Sequence, residues 1–350
     1  MKTKQKLFVL LLSPFLFLGE GLGVRSCAQD FHLSQYDATP HYFNPALTGI
    51  YFGNKADYRI YSDYRSQWRS LGVKAFSTYY LAYDMPFKGI DGVGGYLIHN
   101  RNGAGGLNTI NFMPSAAYKI NNKDESPHCL SVGLQLGILY RSFDPNHFTY
   151  DAQFSTDDPS GFDQSIPSGE NFSKTSLLKL DANMGVFYKY KKEEWKAKPW
   201  AGFAAYHVTK PNQSLTGNIK DKLAIRWVTE IGADYKITEE ISATPMILYM
   251  NQGKAHELNI GAIGFYHLKE TKYDILGGLN YRVKDALIFQ AGMKYDQHVI
   301  TFSYDINTSY LNDYTNGRGA FEFSVLLTGF KGKAIFNPKF GKGKTVNKTL

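Results

Sequence analysis

The residues able to do chemistry in this chain are few and scattered. His99, His207 and His267 fall on different predicted strands, with Ser303 and Ser309 further on. A histidine beside a serine would make a base and nucleophile pair, but no sequence spacing ties these together, and each histidine reads first as an interfacial or interior side chain. His207 stands apart because Pro211 and Ser214 follow it in a predicted loop. No paired-cysteine or His-x-x-x-His spacing offers a metal site, and Asp91-Gly92-Val93-Gly94-Gly95 lacks the following helix that a phosphate loop needs. No metal and no cofactor is expected, and no catalytic residue is assigned. Cys129, at the start of a predicted strand, reads as a small half-buried hydrophobe. The charges that do share a face are Asp57, Arg59, Asp63 and Arg65, with Lys179 and Asp181 on a later segment. Such a set lines a polar pore or holds a plug in place, and the sequence does not choose.

The elements that carry these residues are strands. In Leu130 to Tyr140, the residues Leu130, Val132, Leu134, Leu136, Ile138 and Tyr140 alternate with Ser131, Gly133, Gln135 and Gly137. A strict period of two is a β-strand with one apolar and one small or polar face. Leu178, Leu180, Ala182, Met184, Val186 and Tyr188 repeat the pattern against Lys179, Asp181, Asn183 and Gly185. The apolar face meets either a second sheet, as in a sandwich, or lipid, as in an outer-membrane barrel.

Several features favour lipid. Aromatic residues make up 15% of the chain, and there are 33 glycines, a composition that suits aromatic girdles and crowded turns. The mean hydropathy of −0.32 is compatible with a barrel, because only alternate residues face hydrocarbon. Lys2, Lys4 and Lys6, the apolar run Leu7 to Leu18, and small residues around Cys27 read as a signal peptide over 1–28, with cleavage after Ala28. The rival reading makes Cys27 a lipidated terminus, which Arg25 fits poorly. After that segment no apolar run approaches the ~20 residues of a membrane helix.

Alternating segments predict about fourteen strands, an even number, over 55–65, 75–85, 92–100, 107–120, 129–143, 177–190, 198–208, 224–237, 241–251, 255–268, 273–282, 286–295, 298–308 and 319–330. Short polar connections predict an up-and-down meander. The connections 144–176, 209–223 and 309–318 all fall at one end, whereas Pro86 to Asp91, Asn121 to His128 and the short turns 238–240, 269–271 and 296–298 fall at the other. Barrels put long loops outside and short turns in the periplasm. Trp68, Trp195, Trp200, Tyr140, Tyr188, Tyr190, Tyr206 and Tyr281 lie near strand ends, where their rings suit the headgroup level. The expected fold is thus all-β, a transmembrane antiparallel barrel over 55–330, preceded by a lead-in over 29–54 and followed by a basic tail over 331–350. Lys342 and Lys344 belong to that tail, which contains no acid and reads as a solvated extension or a dock for an acidic partner. A net charge of +8 partly reflects the tail and the signal, so nucleic acid is not an expected partner. The loop 144–176 mixes acids with Phe148, Tyr150, Phe154, Phe162 and Phe172, the pairing of aromatic anchors and solvated rim that protein interfaces use. Its alternative is a loop with its own small core.

The lead-in carries Gln29, Asp30, Ser34, Gln35 and Tyr36, then Asn44-Pro45-Ala46 and Gly49. With the passages Gly202 to Pro211, which include His207, and Tyr304 to Ser309, it resembles the PorP/SprF family of type IX secretion membrane proteins of Bacteroidetes, from Gln29 to about Phe330. Phe31 and Asp37-Ala38-Thr39-Pro40 depart from the family pattern. The resemblance implies a non-enzymatic outer-membrane component of a secretion or gliding machinery. Its implied partners are secreted or surface-anchored proteins, periplasmic and outer-membrane components of that machinery, and outer-membrane lipid. Diffusion porin and barrel hydrolase are the alternatives. Proline at 45 fixes φ and removes an N–H, so residues 36–49 are expected to be rigid and non-repetitive. Such a segment folds into the periplasmic mouth or plugs it, and with the tail it is expected to serve periplasmic attachment.

Overall fold

The computed structural model describes residues 30–52, 56–71, 74–103, 106–120, 126–156, 161–170, 174–192, 194–215 and 221–330. The expected signal peptide, Gln29, Phe172, Lys342 and Lys344 lie outside them. Fourteen strands follow: β1 (Tyr58–Gln67), β2 (Phe76–Phe87), β3 (Asp91–Asn102), β4 (Leu107–Lys119), β5 (His128–Ser142), β6 (Ser176–Tyr190) and β7 (Ala197–Tyr206), then β8 (Arg226–Lys236), β9 (Ile241–Gln252), β10 (Ala255–His267), β11 (Tyr273–Arg282), β12 (Ala286–Tyr295), β13 (His298–Asn307) and β14 (Arg318–Gly329). Every expected strand is present, its ends within about three residues. Each pairs antiparallel with its neighbours in sequence, and β1 pairs β14, so the sheet closes into an up-and-down barrel with no free edge.

The two-residue period sorts the wall as the sequence predicts. On β5, Val132, Leu134 and Leu136 point outward and are exposed, whereas Ser131 and Gln135 point inward and are fully buried. Leu81, Leu97, Phe112, Leu180, Ile247, Leu279, Phe289 and Phe302 continue the uncovered apolar face around the barrel. Hydrocarbon is the solvent that suits so continuous an apolar surface, which places the chain in the outer membrane.

Among the described residues, one end of the barrel carries short connections between neighbouring strands, with the chain's approach to β1 and its exit from β14. Tyr295 pairs with His298 across a two-residue turn in which Asp296 takes φ 55, a left-handed conformation that aspartate tolerates. The other end carries the long connections 143–175, 207–225 and 308–317.

The lumen is occupied. Leu33, Tyr42 and Phe43 of the lead-in join Tyr61, Tyr80, Tyr96, Ile98 and Met113 of the wall in one buried cluster. The chain runs from Asp30, level with His207 and Arg226 at the long-loop end, to Gly49, level with Met85 and Gly92 at the hairpin end. Two expectations are corrected. Tyr206 and Trp200 do not sit at the headgroup level: Tyr206 is buried and its hydroxyl donates to the His41 carbonyl at 3.4 Å, and Trp200 stacks on inward-facing Phe187. The stretch from Ser34 to Thr48 is likewise turned away from periplasmic attachment, because Ser34, Gln35, Thr39, His41, Asn44 and Thr48 are all fully buried by the wall.

Candidate functional site: a lumen-filling segment and a surface loop

Three polar clamps fasten the lead-in. At the long-loop end, the Asp30 N–H donates to Gln252 Oε1 at 2.8 Å, and His207 donates from Nε2 to Asp30 Oδ2 at 2.8 Å and from Nδ1 to Asp181 Oδ2 at 2.5 Å. His207 lies just beyond β7 in a left-handed conformation, φ 58, held by its own N–H donating to Asn183 Oδ1 at 3.0 Å. Burial alone would depress the imidazole, but the Asp30 charge and the hydrogen bonds to both carboxylates raise it to about 9. Burial would raise the Asp30 carboxyl, yet His207, Arg226 and Arg141 hold it well below the usual carboxylate range. With both ring nitrogens engaged by carboxylates, His207 is a charged strut and offers no free nitrogen to a nucleophile. Ser303 instead accepts from Gln35 Nε2 at 3.1 Å, and His99 and His267 bond Asn108 and Asp274 elsewhere on the wall. Pro211 is buried nearby, its carbonyl accepting the Leu223 N–H at 2.9 Å.

This strut has a pH signature. Because His207 titrates higher folded than unfolded, it stabilises fully below about pH 6.5, and that contribution disappears as pH rises through about 9. The expected result is that urea midpoints of heat-modifiable migration fall between pH 7 and 9 in the wild type, by the equivalent of roughly 2–3 kcal/mol. The His207→Gln variant should be flat over that window, and equal slopes would refute the strut.

The second clamp is ionic. Arg65 donates from Nη1 to Glu322 Oε2 at 2.8 Å and to Ser34 Oγ at 2.7 Å, and from Nη2 to Asp305 Oδ2 at 2.9 Å. Arg282 donates to the same Asp305 oxygen at 2.6 Å. Glu322 in turn accepts the backbone N–H of Ser34 and of Gln35, each at 2.8 Å. Ser324 Oγ donates to Gln35 Oε1 at 2.5 Å, and Tyr36 packs edge-to-face on Phe43.

The third clamp lies toward the hairpin end. His41 bonds Asp84 at 3.0 Å and Tyr80 at 3.1 Å, Arg59 also bonds Asp84, and the Gly49 N–H donates to Asp84 Oδ2 at 2.7 Å. Asn44 caps the short turn Pro45–Leu47 by accepting the Ala46 N–H, and donates to Glu230 Oε1 at 2.9 Å. Ser131 Oγ donates to the Ala46 carbonyl at 2.8 Å. The motif residues from Asp30 to Gly49 are therefore brought together as one inner surface. Sequence reasoning found Arg59, Arg65 and Asp181, met Asp305 only inside the Tyr304 to Ser309 passage, and missed Asp84, Arg226, Arg282 and Glu322. Their signal was present: each is a charge at an inward position of a strand, as Glu322 is between Phe321 and Phe323.

The second group of candidates is separate, on the long loop. Phe154 is 61% exposed and bridges to Phe162, with ring centroids 5.8 Å apart. Phe148 is 37% exposed, between Phe143 and Tyr150, and the Tyr150 hydroxyl donates to the Pro145 carbonyl at 3.1 Å. These rings pair with one another, and Phe148 and Phe154 stay exposed.

The family model for the type IX secretion system membrane protein PorP/SprF matches residues 26–327. No curated protein matches the chain. Among solved structures it is similar to the Ralstonia pickettii toluene transporter TbuX, at 13% identity and TM-score 0.46 over 81% of this chain and 90% of that one. A Pseudomonas aeruginosa FadL homologue gives 10% identity and TM-score 0.44 over 81% and 92%. Likenesses this distant say nothing of ligand or activity.

Proposed function

The chain belongs to the PorP/SprF family of type IX secretion system membrane proteins, and we propose that it is a non-enzymatic part of that machinery which presents or anchors exported proteins at the cell surface. The observation that carries this reading is the filled lumen. A barrel whose interior is bonded to its own residues 30–52 has its wall and loops as working surfaces, which favours a scaffold over a diffusion porin. A histidine engaged by two carboxylates favours it over a hydrolase. The loop 143–175, with Phe148, Tyr150, Phe154 and Phe162 and the undescribed Phe172, is the proposed contact for the exported partner. Lys342 and Lys344 of the tail are proposed to meet periplasmic components.

This assignment requires the long loop to lie outside. In a Cys129→Ser background, an impermeant maleimide is expected to label Ser160→Cys on intact cells and to leave Lys344→Cys unlabelled, and the opposite pattern would invert the topology. The function itself is tested by affinity capture of the tagged protein from native membranes, with and without residues 148–172. Secretion components are expected in both captures, with a surface protein lost from the deletion. Capture of no such component, together with wild-type conductance in planar bilayers that the deletion enlarges, would favour the porin.

A further inference from the structure

The lead-in does not fill the lumen evenly. Between it and the β6–β10 wall lies a cavity of about 280 Å³, which shares Asp234, Thr244 and Phe265 with a wider mouth of about 570 Å³ among the hairpins. The walls of the inner cavity are apolar and aromatic, with Phe52, Phe187, Trp200, Met246, Ile263 and Phe265 among them. Three carboxylates face it, Asp37 of the lead-in, Glu230 of β8 and Asp234, together with the Lys189 ammonium. The nearby charges are already matched: Lys189 pairs with Asp234 at 2.6 Å and Lys236 with Glu239 at 2.5 Å. Glu230 accepts a hydrogen bond from Asn44, and among the described residues neither Glu230 nor Asp37 has a cationic partner. An apolar pocket closed by two uncompensated acids suits a segment that brings aromatic rings and a cation together.

We propose that the occupant is this chain's own tail, through Ile335-Phe336-Asn337-Pro338-Lys339-Phe340. β14 ends at Gly329 on the hairpin end, where the cavity opens. The tail carries Lys331, Lys333, Lys339, Lys342, Lys344 and Lys348, with no acid, and its apolar residues are concentrated in that six-residue stretch. Fourteen strands spaced ~4.8 Å and tilted ~40° close a barrel roughly 28 Å across. The seven residues from Gly329 to Phe336 extend up to about 25 Å, so Phe336 reaches the inner cavity beneath the far wall. Lys339 then meets Asp37 and Glu230, because Pro338 keeps the preceding backbone extended. Lys196 and Lys198 stand at the outer mouth and oppose a purely electrostatic capture, so the rings and the two deeper acids select the segment. Docking leaves Lys342 and Lys344 at the rim, available for the periplasmic contact proposed above.

The test is photo-crosslinking of the full-length protein in its native membranes, with a benzophenone amino acid at position 336. Most crosslinks are expected within the same chain, to peptides spanning residues 226–267. Asp37→Asn combined with Glu230→Gln should lower their yield about tenfold, the loss of a charge-assisted contact, while Glu239→Gln leaves it unchanged. Heat-modifiable migration of each variant shows that the barrel has formed. Crosslinks to a different polypeptide would give the cavity to a partner and overturn the proposal, as would crosslinks that ignore the two acids or miss the β8–β10 wall.

Discussion

Replacing Arg65 with alanine is expected to free the first half of the lead-in and turn a closed barrel into a conducting one. Arg65 is 1% exposed and is the cation shared by Asp305, Glu322 and Ser34. Without it, Arg282 still compensates Asp305, but Glu322 is left with the two backbone donors of Ser34 and Gln35 and with a second buried carboxyl, Asp63, beside it in place of a counter-charge. A buried carboxylate left without its counter-charge costs about 3–5 kcal/mol. That cost falls on the clamp rather than on the wall, because the β1–β14 ladder around Arg65↔Glu322 uses backbone groups that the substitution leaves in place. The least costly relief is for water to enter and for Ser34 and Gln35 to leave. In planar bilayers the wild type should be silent and Arg65→Ala should conduct, with the N-terminal segment cut by protease in detergent and boiled-versus-unboiled migration retained. Glu322→Gln should be milder, since an amide oxygen still accepts an N–H, at a cost nearer 1–2 kcal/mol. A silent Arg65→Ala barrel that still shifts on heating would show that the ionic clamp does not hold the segment.

The wall was legible in the sequence because hydrocarbon outside and side chains inside impose a contrast every second residue. β5 alternates leucine with serine, glycine and glutamine, and its faces are assigned without ambiguity. β7 does not behave this way: Ala201 and Phe203 point outward while Trp200, Ala204 and Tyr206 point inward, so both faces are apolar and the aromatics carry no sign of direction. The inward rings exist because the lumen contains Tyr42 and His41 rather than water: Arg226 lies 4.2 Å from the Tyr42 ring centroid and 4.3 Å from that of Tyr206. The course of the lead-in was illegible for a related reason. It has no periodicity, since successive residues meet different strands, and its partners lie far along the chain, as Ser34 and Glu322 do. The charges on β1 suit a polar pore or a held plug equally, and only closure of the barrel reveals that they hold the lead-in.

The second half of the lead-in is held by shape, and there the largest expected effect comes from a glycine. At Gly133 on β5 an added Cβ would stand 2.3 Å from the carbonyl carbon and oxygen of Pro45 and 2.4 Å from the Ala46 nitrogen. These are backbone atoms of a turn pinned by Ser131 Oγ and by the Asn44 cap, so no side-chain rotation relieves the clash. Gly133→Val should therefore exceed the usual overpacking cost of about 1–3 kcal/mol and expel the Pro45–Thr48 turn while Ser34 and Gln35 stay bound. Gly277→Ala provides the control, because nothing lies within 4 Å of the Cβ it would add. The measurement is a pair of readouts on each variant. A cysteine at Ala46, in the Cys129→Ser background, should become reactive toward a soluble maleimide in Gly133→Val and stay protected in Gly277→Ala. Conductance in Gly133→Val should be smaller than in Arg65→Ala, since only the hairpin end of the lumen opens. Equal protection of Ala46→Cys in Gly133→Val and Gly277→Ala would mean that the wall yields to the new side chain, and that close backbone approach at Gly133 is not what seats the turn.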